Sequence, residues 1–470
     1  MMKENTLPDT TGNESKPVLE ARLKLEALLR RELSRCAKCG ACAAVCPVYT
    51  ETQHEAFSAR GKLMLAKALV EGRLEGGKNA QDIFNNCLVC MACVKNCGSG
   101  VRFDHVITAV REFLVAHKGQ QPVKRVIFRH VLPKPGRLAA LMKGGATLQR
   151  LAFETIPESS GLRLRFPVPF LPPDLPVPGI SPRPFIGRTP EFNAALGPKP
   201  EGDLTYFTGC AANYLYPSIG EAVLHILRSC GYNVHVPKNT VCCGAPAFTA
   251  GASSTVRGLA AHNLALLAKL PGIVVSACGS GGLMLRREYR QLADEDAGEG
   301  DAEFARLALE TADRCLDISE FLVRAVGPER LQTLLTRRIA RRLTYHEPCH
   351  LGRGLGVQAE PRALLGLIAS DFVEMPDAGR CCGSGGTYGI THWTESREIL
   401  RKKMHNATQV EAAILATACP SCMIQLTAGA RILERDMPLF HVAELVAWAM
   451  GYEPADTTEK TRFRQLEHIL

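Results

Sequence analysis

Cysteine is the residue that could carry chemistry in this sequence, because 19 of the 470 residues are cysteines. Eight of them form two motifs of identical spacing, C-x2-C-x2-C-x3-C, within "CAKCGACAAVCP" and "CLVCMACVKNCG". Three thiolates at steps of three residues can wrap one face of an iron–sulfur cube. The fourth is placed to reach a second cube, as in two-cluster ferredoxins. Zinc sites use separated CxxC pairs, so the spacing favours iron.

The two motifs therefore predict two [4Fe–4S] clusters that exchange ligands along the chain. Each cluster takes three cysteines from one motif and the last cysteine of the other motif. The predicted ligands are Cys36, Cys39, Cys42 and Cys97 for the first cluster, and Cys87, Cys90, Cys93 and Cys46 for the second.

Most of the other cysteines lie in an internal repeat in the second half of the chain. The two copies keep three landmarks in register: a strand that ends at a cysteine, a CCG tripeptide, and an apolar run that ends in Ala-Cys. The first two landmarks are 139 residues apart in the two copies and the third 141. They are Cys210, Cys242, Cys243 and Cys278 in the first copy, and Cys349, Cys381, Cys382 and Cys419 in the second.

The copies differ at the last landmark, where "ACPSC" adds Cys422 to the second copy and "ACGSG" leaves Gly281 at that place in the first. Five thiolates can hold an iron–sulfur cluster with one to spare, so the second copy predicts a cluster site. Four thiolates suit zinc or a simpler cluster. They are also compatible with no metal, since cysteine packs as a small apolar side chain. The sequence leaves these three alternatives open for the first copy.

The elements that must position these cysteines alternate between strand and helix in each copy. Apolar strands separated by helices predict a parallel sheet covered by helices, with the cysteines at the carboxyl ends of strands, where such sheets bind ligands. Leucines from Leu19 to Leu33 predict a helix that leads into the first motif. We therefore expect a multidomain α+β and α/β protein: a helical two-[4Fe–4S] ferredoxin-like domain followed by duplicated α/β cysteine-rich domains.

The pattern divides the chain into five predicted segments. A linker that separates the cysteine regions holds 13 Lys and Arg, 4 acidic residues and 15 prolines. Proline fixes φ and lacks an N–H, so its proline-rich part is expected to be extended. The segments are an N-terminal tail and helix at 1–34, a ferredoxin-type domain at 35–115, the linker at 116–200, and the two repeat copies at 201–335 and 336–470.

Charge and hydropathy bear on location and on partners. The sequence starts without a basic segment followed by an apolar one, and no apolar run reaches the roughly 20 residues that a membrane span needs. We expect a cytoplasmic protein whose cysteines are metal ligands. The basic, apolar part of the linker can lie on the cytoplasmic face of an anionic inner membrane or wrap around its own domains. It lacks the pattern of a nucleic-acid recognition helix.

With these motifs in place, the sequence resembles the iron–sulfur subunits of bacterial glycolate oxidase and related lactate dehydrogenases. The likeness covers nearly the whole chain, and "CCGSGGTYGITH" is especially similar. Heterodisulfide reductase subunits share the CCG domains and hold a noncubane [4Fe–4S] cluster there. The resemblance implies such a cluster at Cys349, Cys381, Cys382, Cys419 and Cys422. It also allows zinc at the incomplete first site.

The resemblance implies an oxidoreductase subunit for electron transfer. Electrons from an FAD-containing partner that oxidises a 2-hydroxy acid would pass to quinone or another carrier. "GRGLG" at 352–356 does not follow a strand and is no flavin fingerprint, so the flavin belongs on the partner. The alternative is disulfide reduction at the CCG cluster, as in heterodisulfide reductases. No catalytic residue is assigned. Three histidines can hydrogen-bond a cluster or serve as core residues: His346, His350 and His441.

Overall fold

The structure, a computed structural model, describes residues 15–155, 161–164, 177–295, 302–433, 437–454, 460, 463, 464 and 466. A helical region comes first. Its opening helix has Pro17 in the first turn, where a missing N–H is tolerated, and buries Leu25 and Leu29. The helices of this region are Lys16–Arg35, Ala41–Ala44, Pro47–Thr52, Ala59–Val70, Lys78–Asn85, Ala92–Lys95 and Phe103–Lys118, with a 3-10 turn at Glu55–Phe57.

Both cysteine loops of the helical region follow the same backbone path. Lys38 and Gly40 in the first loop have φ of 57° and 83°, and Val89 and Met91 in the second have φ of 51° and 59°. Residues other than glycine rarely occupy this region, so surrounding contacts must hold Val89 and Met91 there. Each loop winds around a cavity lined by its own cysteines.

Two separate sheets carry the repeat copies. The strands are β1 (Phe153–Thr155), β2 (Gly161–Leu164), β3 (Val177–Pro178), β4 (Phe192–Asn193), β5 (Gly202–Phe207), β6 (Tyr232–His235), β7 (Ile273–Ser276), β8 (Cys315–Asp317), β9 (Leu343–His346), β10 (Ile414–Thr417) and β11 (Leu439–His441). In the first copy, β5, β6, β7 and β8 are parallel, with antiparallel β4 on the edge in the order β4–β6–β5–β7–β8. In the second copy, β9, β10 and β11 are parallel, in the order β11–β10–β9.

The helices that cover these sheets correspond in part, and the first copy has more of them among the described residues. The short strand β6 has a weaker counterpart in the second copy, where Phe372 forms only an isolated parallel bridge to Leu343. The helices are Gly209–Tyr214, Pro217–Ser229, Ala245–Thr249, Ser253–Leu267, Gly279–Leu283, Tyr289–Glu295, Ala302–Arg314, Ile318–Phe321 and Pro328–Leu334 in the first copy, and Ala359–Ile368, Tyr388–Thr391, Trp393–Gln409, Pro420–Ile432 and Val442–Ala449 in the second. π-helical turns lie at Met284–Glu288, Leu322–Val326 and His350–Gly354.

The segment between the helical region and the first copy packs partly on its own protein. Phe128 is buried in the core of the first copy, and Leu132 packs beside it. The strands β1, β2 and β3 form a small antiparallel sheet, and residues 165–176 of the proline-rich stretch lie outside the described residues. The helices of this segment are Pro122–Val126, Pro135–Ala152 and Phe185–Arg188, with a π-helical turn at Ile127–Val131.

The helical region is anchored on the second copy. Val48 and Leu88 share a buried apolar cluster with Tyr388 and Ile399. At its edge the Tyr388 hydroxyl donates to Asn86 Oδ1 at 2.8 Å. Buried apolar contacts of this kind hold two units in a fixed relation. Among the described residues, no helix is both long and apolar enough to cross a bilayer.

Candidate metal centres

The first ferredoxin-type site lies at the surface of the helical region. One cavity is lined by Cys36, Cys39, Cys42 and Cys97, the set predicted for the first cluster, and Cys93 reaches its wall. Cys39 is exposed. Arg60 also lines this cavity, and its Nη1 donates to the Lys38 carbonyl at 3.0 Å.

The second ferredoxin-type site is deeper. Cys46 lines its cavity together with Cys87, Cys90 and Cys93, the set predicted for the second cluster. The buried Lys62 lines it as well, and its Nζ donates to the carbonyls of Phe57 at 2.6 Å and Asn86 at 2.9 Å. Both acceptors are neutral, and the Phe57 ring centroid lies 5.3 Å from Nζ. Thiolates at Cys87, Cys46 and Cys93 would balance the ammonium charge.

The donor chemistry of these two cavities fits iron–sulfur clusters. Burial raises the pKa of Cys46 to about 11 and raises the pKa of Cys93 well above its usual value. Such thiols stay protonated at neutral pH unless a metal binds the thiolate. Apolar walls, four thiols and a nearby cation are the setting that thiolate-bound iron requires. With clusters bound, the eight cysteines would be the ligands, and the clusters would supply one-electron carriers.

In the second repeat copy, all five predicted cysteines lie together at the carboxyl end of the sheet. Their thiols form a chain of contacts that runs Cys349, Cys381, Cys382, Cys422 and Cys419. Four of the five are buried. The donor set is again all sulfur, which suits iron–sulfur chemistry.

A buried lysine faces this group from the helix Trp393–Gln409. Lys403 is fully buried, and its Nζ donates at 2.7 Å to each of the carbonyls of Asp377 and Ala378. Burial lowers the pKa of Lys403 to about 8, and the cysteines beside it, Cys382 first, oppose that shift. A cation at this position favours thiolate over thiol.

The second ferredoxin-type site and the second-copy site share a wall. The side chains of Cys90 and Cys381 face each other within one buried cluster. Arg353 braces this junction, because its Nε donates to the Cys90 carbonyl at 2.7 Å and its charge faces Cys90, Cys349 and Cys381. Two predicted metal sites are therefore in direct contact.

The first repeat copy arranges its four cysteines differently. The thiol of Cys242 faces both Cys210 and Cys243, whereas the thiol of Cys278 faces that of Cys419 in the second copy. Four thiolates on one zinc ion lie about 3.8 Å apart, given Zn–S bonds of about 2.3 Å. Across the part of the chain that the structure describes, no three of these four thiols come within 4.8 Å of one another.

The three histidines near the cysteines of the repeat copies, His346, His350 and His441, have different surroundings. His350 is engaged at both nitrogens, Nδ1 with Ser280 Oγ at 2.9 Å and Nε2 with the Val89 carbonyl at 3.4 Å. His441 caps the last helix through Nδ1, which accepts from the Ala443 N–H at 3.1 Å. His346 lies against Cys382, and burial lowers its pKa.

The cations of these sites were only partly visible in the sequence. Lys62 stands beside Arg60 in "SARGKLM", between the two motifs, where a helix start explains it equally well. Arg353 can be associated with a metal site because it follows Cys349 by four residues. No cysteine motif lies next to Lys403 or Arg111, so the sequence does not indicate that either residue is near a metal site. Arg111 is buried, and its Nη2 donates to the Cys87 carbonyl at 2.8 Å.

Models of known domain families match the three cysteine regions. A 4Fe-4S dicluster domain matches residues 32–101, and a cysteine-rich domain, CCG, matches residues 204–286 and again 343–427. The matches confirm the expected fold class, a helical ferredoxin-like domain followed by duplicated α/β cysteine-rich domains with parallel sheets. They also support iron–sulfur clusters as the cofactors.

Curated relatives extend this likeness over most of the chain. The "Probable glycolate oxidase iron-sulfur subunit" of Bacillus subtilis (strain 168) is 28% identical over 90% of this chain and 95% of that protein. The "Glycolate oxidase iron-sulfur subunit" of Escherichia coli (strain K12) is 27% identical over 92% of this chain and 96% of its own length. This chain is therefore similar to glycolate oxidase iron–sulfur subunits over about nine tenths of its length.

A shorter relative points to the lactate branch. "Lactate utilization protein A 2" of Bacillus cereus (strain Q1) is 27% identical over 52% of this chain and 97% of that protein. The relatives confirm the predicted resemblance and the predicted class, an oxidoreductase subunit of the glycolate or lactate type.

Proposed function

We propose that this chain is the electron-transfer subunit of a 2-hydroxyacid dehydrogenase complex that oxidises glycolate or lactate. The observation that carries the proposal is the contact between Cys90 and Cys381, which joins a ferredoxin-type site to a CCG site. Electron carriers that share a wall form a path through the chain. A single-site binding protein has no need of this arrangement.

The proposed path has a surface end and a buried end. The first ferredoxin-type site includes the exposed Cys39 and is open to a partner, whereas Cys90 and Cys381 are buried. Electrons would enter near Cys39 and leave at the second-copy site. Positive side chains at each stage, Arg60, Lys62 and Lys403, stabilise the added negative charge.

The proposal includes the metal ligands assigned from the sequence. Two [4Fe–4S] clusters would take the eight ferredoxin-type cysteines with crosswise ligands, and a third, noncubane cluster would take the five cysteines of the second copy. For the first copy we favour a site without zinc, because the thiol of Cys278 faces Cys419 of the second copy. Zinc binding there would require that thiol to turn.

The proposed partner is an FAD-containing dehydrogenase subunit, and the acceptor is quinone or another carrier. Names of the full-length relatives refer to a subunit of glycolate oxidase. The "GRGLG" segment begins within the π-helical turn His350–Gly354 and does not follow a strand directly, which supports a flavin site on another chain. Exposed apolar side chains in the basic segment, Val123, Val126 and Leu148, support contact with a membrane surface.

The first experiment is the metal content of anaerobically purified protein. We expect about 12 iron atoms and a matching amount of acid-labile sulfide per chain, from three four-iron clusters. EPR after dithionite should show more than one reduced cluster. Colourless protein with only zinc at the N-terminal cysteines would refute the proposal.

The second experiment tests the direction of electron flow. Mixed with its flavoprotein partner and a 2-hydroxy acid, the protein should be reduced, and a quinone analogue should reoxidise it. Cys90→Ser should slow reduction of the second-copy site while the first ferredoxin-type site is still reduced. Rapid reduction of a heterodisulfide by the isolated protein with an artificial donor would instead support the alternative function.

A further inference from the structure

Among the described histidines of the cysteine-rich sites, His346 is the one with no hydrogen bond at either ring nitrogen, and its ring faces the thiol of Cys382. It is the last residue of β9, three residues before Cys349, and its side chain is fully buried. Neither Nδ1 nor Nε2 has a hydrogen-bond partner among the described residues. A buried polar group in that state is strongly disfavoured, so the ring is built for a group that binds there.

The surroundings of His346 show what that group is. A ring nitrogen of His346 and the thiols of Cys382 and Cys422 lie within 4.8 Å of one another, and all three residues are buried. No other set of three Cys, His, Asp or Glu donors in the described part of the chain is this close. Donors that share one metal ion lie slightly closer, about 3.5–3.8 Å apart, so a small adjustment brings all three onto one metal.

The internal repeat provides an independent observation. Phe207 ends β5, 139 residues before His346, and is buried in the core of the first copy. Gly281 stands 141 residues before Cys422. The first copy thus lacks both the imidazole and the fifth thiol. Two donors that touch in one copy and are absent together from the other belong to one site.

We propose that His346 is a metal ligand of the second-copy site, with its imidazole nitrogen bound to the same iron as Cys382 or Cys422. The inference rests on the proposed function, because it needs iron at that site. Five thiolates leave one to spare, so this inference narrows the ligand set given above: the imidazole would replace one of the other thiolates. A neutral nitrogen in place of a thiolate lowers the negative charge of a cluster and raises its reduction potential, as histidine ligands do in Rieske centres. The site then becomes a favourable electron sink next to Cys90.

The test uses the full-length protein, purified anaerobically with natural-abundance or 15N-labelled histidine. Pulsed EPR of the reduced protein should show a nitrogen coupling of the size of a directly bound imidazole, and labelling should change it from a 14N to a 15N pattern. His346→Gln should abolish this coupling and lower the potential of the second-copy cluster. Iron and sulfide per chain and the signals of the two ferredoxin-type clusters report whether the variant is folded.

His441→Asn is the matched control. His441 is equally buried and its Nε2 also lacks a partner among the described residues, but it caps the last helix. Asparagine keeps a cap and removes the imidazole. This variant should retain the coupling. A wild-type spectrum without bound nitrogen, or a coupling that persists in His346→Gln, would overturn the inference. Wild-type protein without iron in the second copy would overturn the proposed function itself, and this inference with it.

Discussion

The two repeat copies share a scaffold but differ at three positions that face the thiols. Where the second copy has His346, Lys403 and Cys422, the first has Phe207, Asn263 and Gly281. Asn263 and Lys403 correspond because both are fully buried on the helix after the CCG loop, and both donate to carbonyls that lie before or within the paired cysteines. The duplication preserves the cysteine framework and changes the donors and the charge around it.

The difference in charge has a direct chemical meaning. An anionic cluster in a buried site needs a compensating cation, and Lys403 supplies one in the second copy. Asn263 in the first copy donates to the carbonyls of Val241 and Cys242 and carries no charge. The number of cysteines alone is therefore not expected to define a cluster site. The neighbours decide whether several buried thiolates can be tolerated.

The largest effect is expected when Cys422 of the second copy is replaced by glycine, the residue that the first copy has at Gly281. Cys422→Gly removes one member of the thiol chain, which is also one of the three donors in the group of His346, Cys382 and Cys422. We expect the second-copy cluster to be lost, with a fall of about four iron atoms per chain, while the ferredoxin-type clusters remain. Iron analysis and EPR measure both parts.

Cys230→Ala is the control for that experiment. Cys230 is also buried, but it lies in the apolar core of the first copy and no cysteine is its partner. This variant should keep its full iron content and lose only stability, by about 1 kcal/mol for a small buried truncation. Unchanged iron in Cys422→Gly would show that four thiolates are enough in the second copy.

A smaller effect is expected when the charge alone is removed. Lys403→Met keeps the length of the side chain but deletes the buried ammonium, so reduction of the nearby cluster becomes less favourable. The potential should fall by on the order of 100 mV, the effect of a unit charge several ångströms away at an effective dielectric of about 20. Spectroelectrochemical titration measures the shift.

Lys402→Met provides the matched control on the same helix. Lys402 points outward, is 45% exposed, and pairs with Glu51 at 2.8 Å. Solvent screens such a surface charge, so its removal should leave the potential nearly unchanged. Equal shifts in the two variants would contradict the role assigned to the buried ammonium.

The same comparison shows why the sequence predicted some features and missed others. Cysteine spacing constrains a loop over a few residues, so the two motifs and the duplicated landmarks were readable from the chain. Contacts between distant segments, such as Cys90 with Cys381 and Cys278 with Cys419, depend on how the domains pack. Their residues are 291 and 141 positions apart. The repeat identifies Cys278 and Cys419 as equivalent positions, but spacing does not show that either pair is in contact.

The charged residues of the site were hidden for a related reason. Lys403 lies within "RKKMHN". Of the three basic residues in this run, Arg401 and Lys402 are exposed and Lys403 is buried. A basic run on a helix normally reads as a solvated face. Its buried member becomes visible only when the helix is docked on the sheet. The correspondence with Asn263 was equally hidden, because no cysteine marks this helix.

The mildest change adds a thiol to the first copy. A Cβ at Gly281 would meet Cys278 Cβ at 3.5 Å, Cys278 Sγ at 3.7 Å and Ser276 Oγ at 3.7 Å, which are ordinary contacts. Gly281→Cys should therefore fold normally, with a change in unfolding free energy of about 1 kcal/mol or less. We expect no gain of iron, because Phe207 and Asn263 still supply neither a donor nor a charge. A gain of about four iron atoms per chain would show that a fifth thiolate is sufficient and that the differences at the other two positions are secondary.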